Sequence, residues 1–290
     1  MTATSALLDR SLLLVSGKGG VGKSAVAAAL GVVAARRGQS VLAISMTDDP
    51  GLAAHFGVDR LGYNAQEVRP GIHALAIDRS RALDEYIRLQ LHAPRVAPLG
   101  PVARGLNALA DTVPGIRDII TIGKALFESG KGSWDLVIAD APPLGQIASY
   151  LRAPVTIAGL VPMGRVRDQA VQYEAQLTDP DHTAMVLVAT PEELPVVETV
   201  EAYDEISQLV DVAGVIANRV LDPLGVSEQT LTGQAAGPHR DAGMLHRGLH
   251  SAQRRWITEL PEGPTVPYLF GVHTPGEVAV LIADQLGAEL

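Results

Sequence analysis

Continuous apolar runs recur along the chain and predict buried β-strands. The runs are residues 11–16, 40–46, 71–77, 134–140, 183–189, 212–218 and, shorter than the others, 263–269. None of them shows the apolar–polar alternation of a half-exposed strand, and uninterrupted runs are typical of strands that helices cover on both faces. Because helical patterns separate the runs, the sequence predicts an α/β fold with a doubly wound, mostly parallel sheet flanked by helices.

The helical patterns also suggest how the chain is organised. Residues 23–37 carry an Ala/Val/Leu face with arginines at the end, and Gly38 follows as a helix stop. Residues 78–131 are long and helical, whereas residues 227–260 are polar. We interpret residues 1–290 as one domain, with a helical insertion at about 78–131 and a peripheral polar, helical segment at about 227–260.

A glycine-rich segment lies between the first predicted strand and the first predicted helix. Residues 17–24 read Gly-Lys-Gly-Gly-Val-Gly-Lys-Ser, which satisfies the phosphate-loop pattern G-x-x-x-x-G-K-[ST] in its strand–loop–helix context. Glycines let successive backbone N–H groups turn towards phosphate oxygens, Lys23 supplies a positive charge, and the Ser24 hydroxyl can bind Mg²⁺. The residues expected to contact nucleotide here are Gly17, Gly19, Gly20, Val21, Gly22, Lys23, Ser24 and Ala25.

Residues 18–24, Lys-Gly-Gly-Val-Gly-Lys-Ser, resemble the deviant Walker A sequence of one branch of P-loop ATPases. The branch includes ParA, MinD, nitrogenase iron protein and the ArsA/Get3 group. In it, the early lysine crosses a dimer interface to phosphates bound by the partner subunit, and Lys18 stands at that position. The resemblance implies an ATPase that uses ATP and Mg²⁺, either as a homodimer or as a heterodimer with a related ATPase chain.

A second motif points to the ArsA/Get3 group within this branch. The apolar run 134–140 ends in Asp140, and residues 140–146 read Asp-Ala-Pro-Pro-Leu-Gly-Gln, which resembles the D-T-A-P-T-G-H sequence of that group. The resemblance implies that Asp140 is a Walker B carboxylate that holds a Mg²⁺-bound water. It also implies that Gly145 is a hinge that senses the γ-phosphate.

Further stretches extend the resemblance from about residue 11 to about residue 285. Residues 113–120, 188–206, 214–220 and 266–281 are similar to segments of the ArsA/Get3 group, the second of them to its P-E-x-x-x-x-E-T helix start. The resemblance implies that Asn218 recognises adenine through its amide and that Pro267 lies beside the base. The whole pattern is similar to the small single-unit ArsA-like ATPases of actinobacteria.

The segment after the second strand departs from the group. ArsA and Get3 carry S-T-D-P-A-H there, with an aspartate that acts on the attacking water, but residues 45–50 read Ser-Met-Thr-Asp-Asp-Pro. Aligned without gaps, Thr47 falls on the aspartate position, and a shift of one residue restores a carboxylate. We predict catalytic roles for Lys18, Asp48 and Asp140, with Asp48 slightly ahead of Asp49. Because a misplaced base slows proton transfer, we expect slow turnover.

Composition narrows the class of function. The chain has no cysteine, which excludes disulfides, thiolate zinc sites, thiolate metalloid sites and cysteine nucleophiles. A net charge of −9 argues against a broad nucleic-acid surface. No apolar run reaches the ~18 residues that a membrane-spanning helix needs. The first 15 residues lack a secretory-signal pattern, so we expect a cytoplasmic protein.

Histidines and arginines concentrate in the polar segment. His239, His246 and His250 share roughly one helical face, with several arginines nearby. We interpret this as a solvated basic helix face; a metal site or a contact with a partner or acidic lipid are the alternatives.

Three functional hypotheses follow. The first is a dimeric ATPase that couples nucleotide-driven closure to a protein client or membrane-protein partner. The second, suggested by Thr47, is a nucleotide-binding regulatory or scaffold subunit that hydrolyses little ATP and pairs with a related ATPase chain. The third is a MinD/ParA-like positioning ATPase, which the absence of lysine and arginine from residues 277–290 disfavours.

Overall fold

The computed structural model describes residues 7–91 and 115–289. Within these residues the strands form one eight-stranded sheet in the order β3-β4-β2-β5-β1-β6-β7-β8. The strands are β1 (Leu12–Gly17), β2 (Val41–Ser45), β3 (Gln66–Arg69), β4 (Ile72–Ala76), β5 (Leu136–Asp140), β6 (Thr183–Ala189), β7 (Asp211–Val220) and β8 (Thr265–Pro267).

Helices connect most of the strands. A short 3₁₀ helix, Leu7–Asp9, precedes β1. The α-helices are α1 (Lys23–Arg36), α2 (Gly51–His55), α3 (Arg79–Leu91), α4 (Ile116–Gly130), α5 (Leu144–Leu160), α6 (Arg165–Thr178), α7 (Glu193–Ile206), α8 (Glu228–Thr232), α9 (Pro238–Ile257) and α10 (Pro275–Glu289). In the part of the chain that the structure describes, no helix is both long and apolar enough to cross a membrane.

The sheet confirms the predicted fold class. Every strand pair is parallel except β3–β4. Each predicted strand is present within two residues of its predicted ends. The exception to the prediction is β3, an antiparallel edge strand with the sequence Gln-Glu-Val-Arg whose side chains are exposed or half-buried. A polar edge strand carries no apolar run, so the pattern could not reveal it.

Helices bury both faces of the sheet, as uninterrupted apolar strands require. Alternate residues of β1 enter two separate cores: Leu13 and Val15 pack with residues of α1 and α10, whereas Leu12 and Leu14 pack with residues of α4, α5 and α6. Much of the α1 side is alanine and valine, which lets α1 lie close to the sheet. This two-sided burial fixes the strands and therefore the loops at their carboxyl ends.

The topology places a crevice at the end of β1. From β1 the chain builds β2 and β4 on one side, returns to add β5 next to β1, and then adds β6 on the opposite side. In open α/β sheets, ligands bind beyond the carboxyl ends of the strands where the strand order reverses. Asp140, the last residue of β5, pairs with Val15 of β1 and Ser45 of β2, so its carboxylate lies at that crevice.

The two less regular segments are helical where the structure describes them. Helices α3 and α4 lie in the interval 78–131, and residues 92–114 lie outside the described residues. Helices α8 and α9 lie in the interval 227–260, and α9 has no fully buried residue. The exposed, amphipathic character of α9 agrees with a solvated helix face.

Candidate functional site

The glycine-rich loop joins β1 to α1 in the conformation that its glycines allow. Gly20 and Gly22 have φ values of +86° and +94°, in the left-handed region that glycine adopts without strain. Gly22 is the N-cap of α1, and a Cβ there would lie 2.4 Å from Asn218 Nδ2. The loop therefore needs glycine at this position both for its backbone angle and for space, and it faces the positive end of the α1 dipole.

Three side chains of the predicted site converge beneath the loop. Ser24 Oγ donates a hydrogen bond of 2.6 Å to Asp140 Oδ2. Lys23 Nζ donates to the backbone oxygen of Lys18 at 3.2 Å and lies within electrostatic range of the Asp140 carboxylate. Ser16 Oγ donates to Pro142 O at 2.6 Å, which ties the end of β1 to the loop after β5. The sheet thus brings together residues that are more than a hundred positions apart.

Burial disfavours both charges of this cluster. It lowers the pKa of Lys23 from its ordinary value, although the carboxylates of Asp140 and Asp49 act in the opposite direction. It raises the pKa of Asp140 to about 6, against the opposing effects of the Ser24 hydrogen bond and the Lys23 charge. A bound phosphate would favour charged Lys23, and a bound cation would favour charged Asp140. The electrostatics of the site therefore suit a phosphate ligand that is bound together with a cation.

The oxygens of Ser24 and Asp140 fit a magnesium ion. Mg²⁺ takes oxygen ligands and keeps several waters, typically with one or two protein oxygens and the substrate's phosphates. Ser24 Oγ and Asp140 Oδ2 are adjacent, and Asp140 is 3% exposed. A hydroxyl and a buried carboxylate at the mouth of a phosphate loop make up such a set.

The two aspartates after β2 lie in different surroundings. The loop that carries Asp49 packs on the site: Asp49 Oδ1 accepts from Gly51 N at 2.7 Å, and a Cβ on Gly51 would lie 2.9 Å from Ser24 Oγ. The charge of Asp49 acts on both Lys23 and Asp140. Asp48 instead lines a neighbouring cavity of about 730 Å³ with Arg60 and Arg79 among its other residues. The geometry therefore brings Asp49, rather than Asp48, to the cluster of Lys23 and Asp140.

The chain matches the model of a known protein family. A family model described as "Anion-transporting ATPase" matches residues 10–166 and 159–231. The chain belongs to the anion-transporting ATPase family. The residues that converge beneath the loop all lie inside the matched region.

Several ATPases are similar to this chain over most of its length. ATPase BagA of Mycobacterium tuberculosis is 34% identical over 256 residues, which cover 83% of this chain and 74% of that protein. ATPase get3 of Schizosaccharomyces pombe is 26% identical over 248 residues, covering 73% and 74% respectively. ATPase get3 of Pyrenophora tritici-repentis is 24% identical over 260 residues, covering 75% and 76%. The predicted resemblance to an ArsA/Get3-like ATPase is confirmed.

Lys18, the first lysine of the glycine-rich loop, pairs with Glu198 of α7. Its backbone oxygen remains at the loop, where it accepts from Lys23 Nζ. Within residues 7–91 and 115–289, no other contact of the Lys18 ammonium is recorded, and none joins it to Ser24 or Asp140. The Lys18 side chain is thus engaged by a carboxylate of its own chain.

Asn218 contacts the phosphate loop in this structure. Its Nδ2 donates to Val21 O at 2.8 Å, and its Oδ1 accepts from Arg219 N at 3.0 Å. Arg219 has a φ of +61°, which is uncommon for a residue with a side chain and marks a sharp turn at this point. Each amide atom of Asn218 keeps one further hydrogen-bonding position. A contact with adenine stays a prediction.

The other predicted residues lie at or shortly after the carboxyl ends of β1, β5 and β8. Val21 and Ala25 are buried, Gly17 ends β1, and Gly19 is exposed in the loop. Gly145 is in the first turn of α5 and is exposed, with no atom within 4 Å of an added Cβ. Pro267 ends β8 opposite Val220 of β7. The hinge role of Gly145 and the base contact of Pro267 stay predictions.

The histidines of α9 form no metal site in the described part of the chain, where no group of three or more potential ligands is found. His246 Nε2 lies 2.7 Å from Asp222 O, and its ring stacks on Phe270. These contacts attach α9 to the segments that follow β7 and β8.

Two features escaped the sequence analysis. Glu198 lies in the segment that resembles the P-E-x-x-x-x-E-T helix start, but the pattern alone does not show that it reaches Lys18. The second feature is a largely apolar cavity of about 460 Å³ among helices α3, α4, α5 and α6. Its lining includes Ile87, Ile119, Ile157 and Val166. Helical periodicity indicated buried faces in this region but could not indicate a space between them.

Proposed function

We propose that the protein is a Mg²⁺-dependent ATPase that hydrolyses ATP slowly and acts as a pair of identical chains. The observation that carries this proposal is the convergence of Lys23, Ser24 and Asp140 beneath the glycine loop at the carboxyl ends of β1 and β5. A phosphate loop with this cluster is typical of phosphoryl-transfer sites, so nucleotide and water are the expected reactants.

The residues of the cluster have different roles in the proposed reaction. The loop N–H groups and Lys23 hold the phosphates, which orients the γ-phosphate for in-line attack. Ser24 and Asp140 would hold Mg²⁺, which supplies positive charge to the β- and γ-phosphate oxygens. Because burial holds the pKa of Asp140 near 6, part of the carboxylate is protonated in mildly acidic solution. A cation bound beside Asp140 would favour its ionised form.

We assign the water-positioning role to Asp49. Its charge acts on Lys23 and Asp140, whereas Asp48 lines the neighbouring cavity. This assignment reverses the order predicted from the sequence, in which Asp48 came first. The physical reason is that Asp49 acts electrostatically on Lys23 and Asp140, whereas Asp48 lines the cavity beside Arg60 and Arg79.

Replacement of each aspartate separates the two assignments. Asp49→Asn is expected to lower kcat about 100-fold with little change in ATP affinity, because general-base catalysis contributes roughly 10²–10⁴-fold. Asp48→Asn is the matched control and should change kcat less than about threefold. Steady-state phosphate release and ATP binding are the measurements. The opposite ranking of the two variants would restore Asp48 to the role.

Dimerisation is supported by the surface beside Lys18. Helix α7, which carries Glu198, exposes apolar side chains at helical spacing: Leu194, Val197 and Val200. Exposed apolar groups in a row favour contact with another protein surface. In a two-fold pair each chain presents the same patch to the other. Such a pair would bring Lys18 of the partner subunit towards the open side of the phosphate site.

We further propose that closure of the pair is transmitted to a protein client or membrane-protein partner. The apolar cavity of about 460 Å³ is the candidate contact. Exposed apolar side chains, Leu160, Met163 and Val166, continue from it along the end of α5 and the start of α6. Because α5 begins four residues after Asp140, a shift at the nucleotide site can reach this surface along helix α5.

An uncharged, apolar fluorescent probe tests this surface. Val166 and Val171 are both 41% exposed on α6, but only Val166 lines the cavity. Val166→Glu should weaken probe binding roughly tenfold, since a charge in an apolar site is costly, whereas Val171→Glu should not. ATP with Mg²⁺ should change probe affinity in the wild type. Equal affinity with and without nucleotide would exclude this cavity as the coupled surface.

A further inference from the structure

The ion pair between Lys18 and Glu198 joins the phosphate loop to helix α7. Lys18 Nζ contacts Glu198 Oε1, and the two side chains are 29% and 42% exposed. The contact spans 180 positions of sequence and links the loop after β1 to the helix after β6. It is therefore a tertiary contact of the single chain and not a local feature of the loop.

Only the side chain of Lys18 is free to change partner. Its backbone oxygen accepts from Lys23 Nζ at 3.2 Å, which keeps the peptide at the phosphate site. The side chain is more exposed than the buried core of the site and meets a carboxylate that is also reached by solvent. A lysine anchored in this way can swing between two anionic partners without unfolding the loop.

We propose that Glu198 is a positioning residue that holds Lys18 within its own chain until ATP brings a second copy into place. This inference rests on the proposed function, because it assumes that Lys18 acts on the phosphates of the partner subunit. A single lysine cannot satisfy Glu198 and a phosphate of the partner subunit at once. The intrachain pair therefore competes with closure of the dimer.

The strength of the pair suits a reversible contact. Half-exposed ion pairs are weak, because both groups are well solvated when apart. Contacts between a lysine and polyphosphate in a site closed to water are stronger. ATP can therefore displace Glu198 from Lys18. A nucleotide without the γ-phosphate attracts the Lys18 ammonium less strongly. Glu198 would set how much ATP is needed before two chains close.

Neighbouring residues place Glu198 firmly enough for this role. It lies in the middle of α7, and Thr199 beside it is fully buried with its Oγ1 donating to Pro195 O at 2.7 Å. The carboxylate is thus carried by an anchored helix, while Lys18 is carried by a loop. Exchange of partners requires movement of the lysine side chain and not of the helix.

Replacement of Glu198 by glutamine tests the inference through the dimer dissociation constant, measured by sedimentation with Mg²⁺ and a non-hydrolysed ATP analogue. Removal of an exposed pair should favour closure about two- to fivefold for each lysine, hence about four- to 25-fold for the pair of chains. ATP affinity of dilute, single chains should stay unchanged. Glu198→Asp keeps the charge and should lie closer to the wild type than Glu198→Gln.

Two controls isolate the contact. Glu67→Gln removes an exposed charge on β3, at the far edge of the sheet from α7, and should leave the dissociation constant unchanged. In a Lys18→Ala background, Glu198→Gln should have no effect, because its partner is absent. Thermal unfolding of each variant checks the fold, and the half-exposed position of Glu198 makes glutamine easy to accommodate there.

The outcomes separate the inference from the function on which it rests. Unchanged or weakened dimerisation of Glu198→Gln, or an equal shift in the Lys18→Ala background, would overturn the role of Glu198 alone. Absence of ATP-dependent dimerisation in the wild type would overturn the proposed function and the inference with it.

Discussion

Lys23→Ala is expected to weaken ATP binding up to about 100-fold and to remove hydrolysis. The Lys23 ammonium lies at the phosphate loop in a half-buried position, where burial lowers its pKa and Asp140 and Asp49 supply nearby negative charge. A charge-assisted contact in such a place contributes up to about 3 kcal/mol, which corresponds to about 100-fold in affinity. Alanine also leaves Asp140 with one positive neighbour fewer, so the variant loses charge balance as well as a contact.

Calorimetric ATP titration and phosphate release measure this effect. Lys131→Ala is a suitable control, because it removes the same charge at a different place. Lys131 pairs with Glu128 at the end of α4. If the wild type and Lys23→Ala release phosphate at the same background rate while the wild type still binds ATP, hydrolysis is not a property of this chain. A regulatory or scaffold subunit would then explain the nucleotide site better.

Lys18→Ala is expected to separate binding from turnover. Single chains of the variant should bind ATP as the wild type does, because the Lys18 ammonium pairs with Glu198 of its own chain. Turnover should fall by about 10³-fold, since a cation supplied by a partner to the transferred phosphoryl group contributes 10³–10⁵-fold in related chemistry. ATP titration at dilute protein and steady-state kinetics at high protein measure the two effects. A large loss of ATP affinity in dilute protein would indicate that Lys18 acts on its own nucleotide.

Much of the fold follows from the apolar pattern, because a parallel sheet needs strands that are buried on both faces. The runs at β1, β2, β5 and β6 carry enough apolar residues to be recognised individually. The polar edge strand β3 has neither a run nor an alternation, since one of its edges and much of its surface remain exposed. Its existence depends on pairing with β4, which is a tertiary property.

Part of the candidate site could likewise be predicted from the sequence, and part could not. The phosphate loop and Asp140 are recognisable from sequence because a backbone cradle and a strand end impose fixed spacing. The proposed preference for Asp49 over Asp48 could not be predicted from the sequence, because it depends on how the chain turns after β2. The contacts of Lys18 with Glu198 and of Asn218 with Val21 join distant segments. No local pattern contains such pairs.

Mixing two inactive variants tests the central claim, that each phosphate site is completed by the Lys18 of a second copy. Lys18→Ala keeps Lys23, Ser24 and Asp140, whereas Asp140→Asn keeps Lys18. In a mixed pair, the intact site of the first chain would receive Lys18 of the partner subunit. With equal amounts of both chains, half of the pairs are mixed and each has one complete site, so activity should return to about a quarter of the wild-type value. If the mixture instead stays at the average of the two separate variants, Lys18 does not act across a pair of these chains.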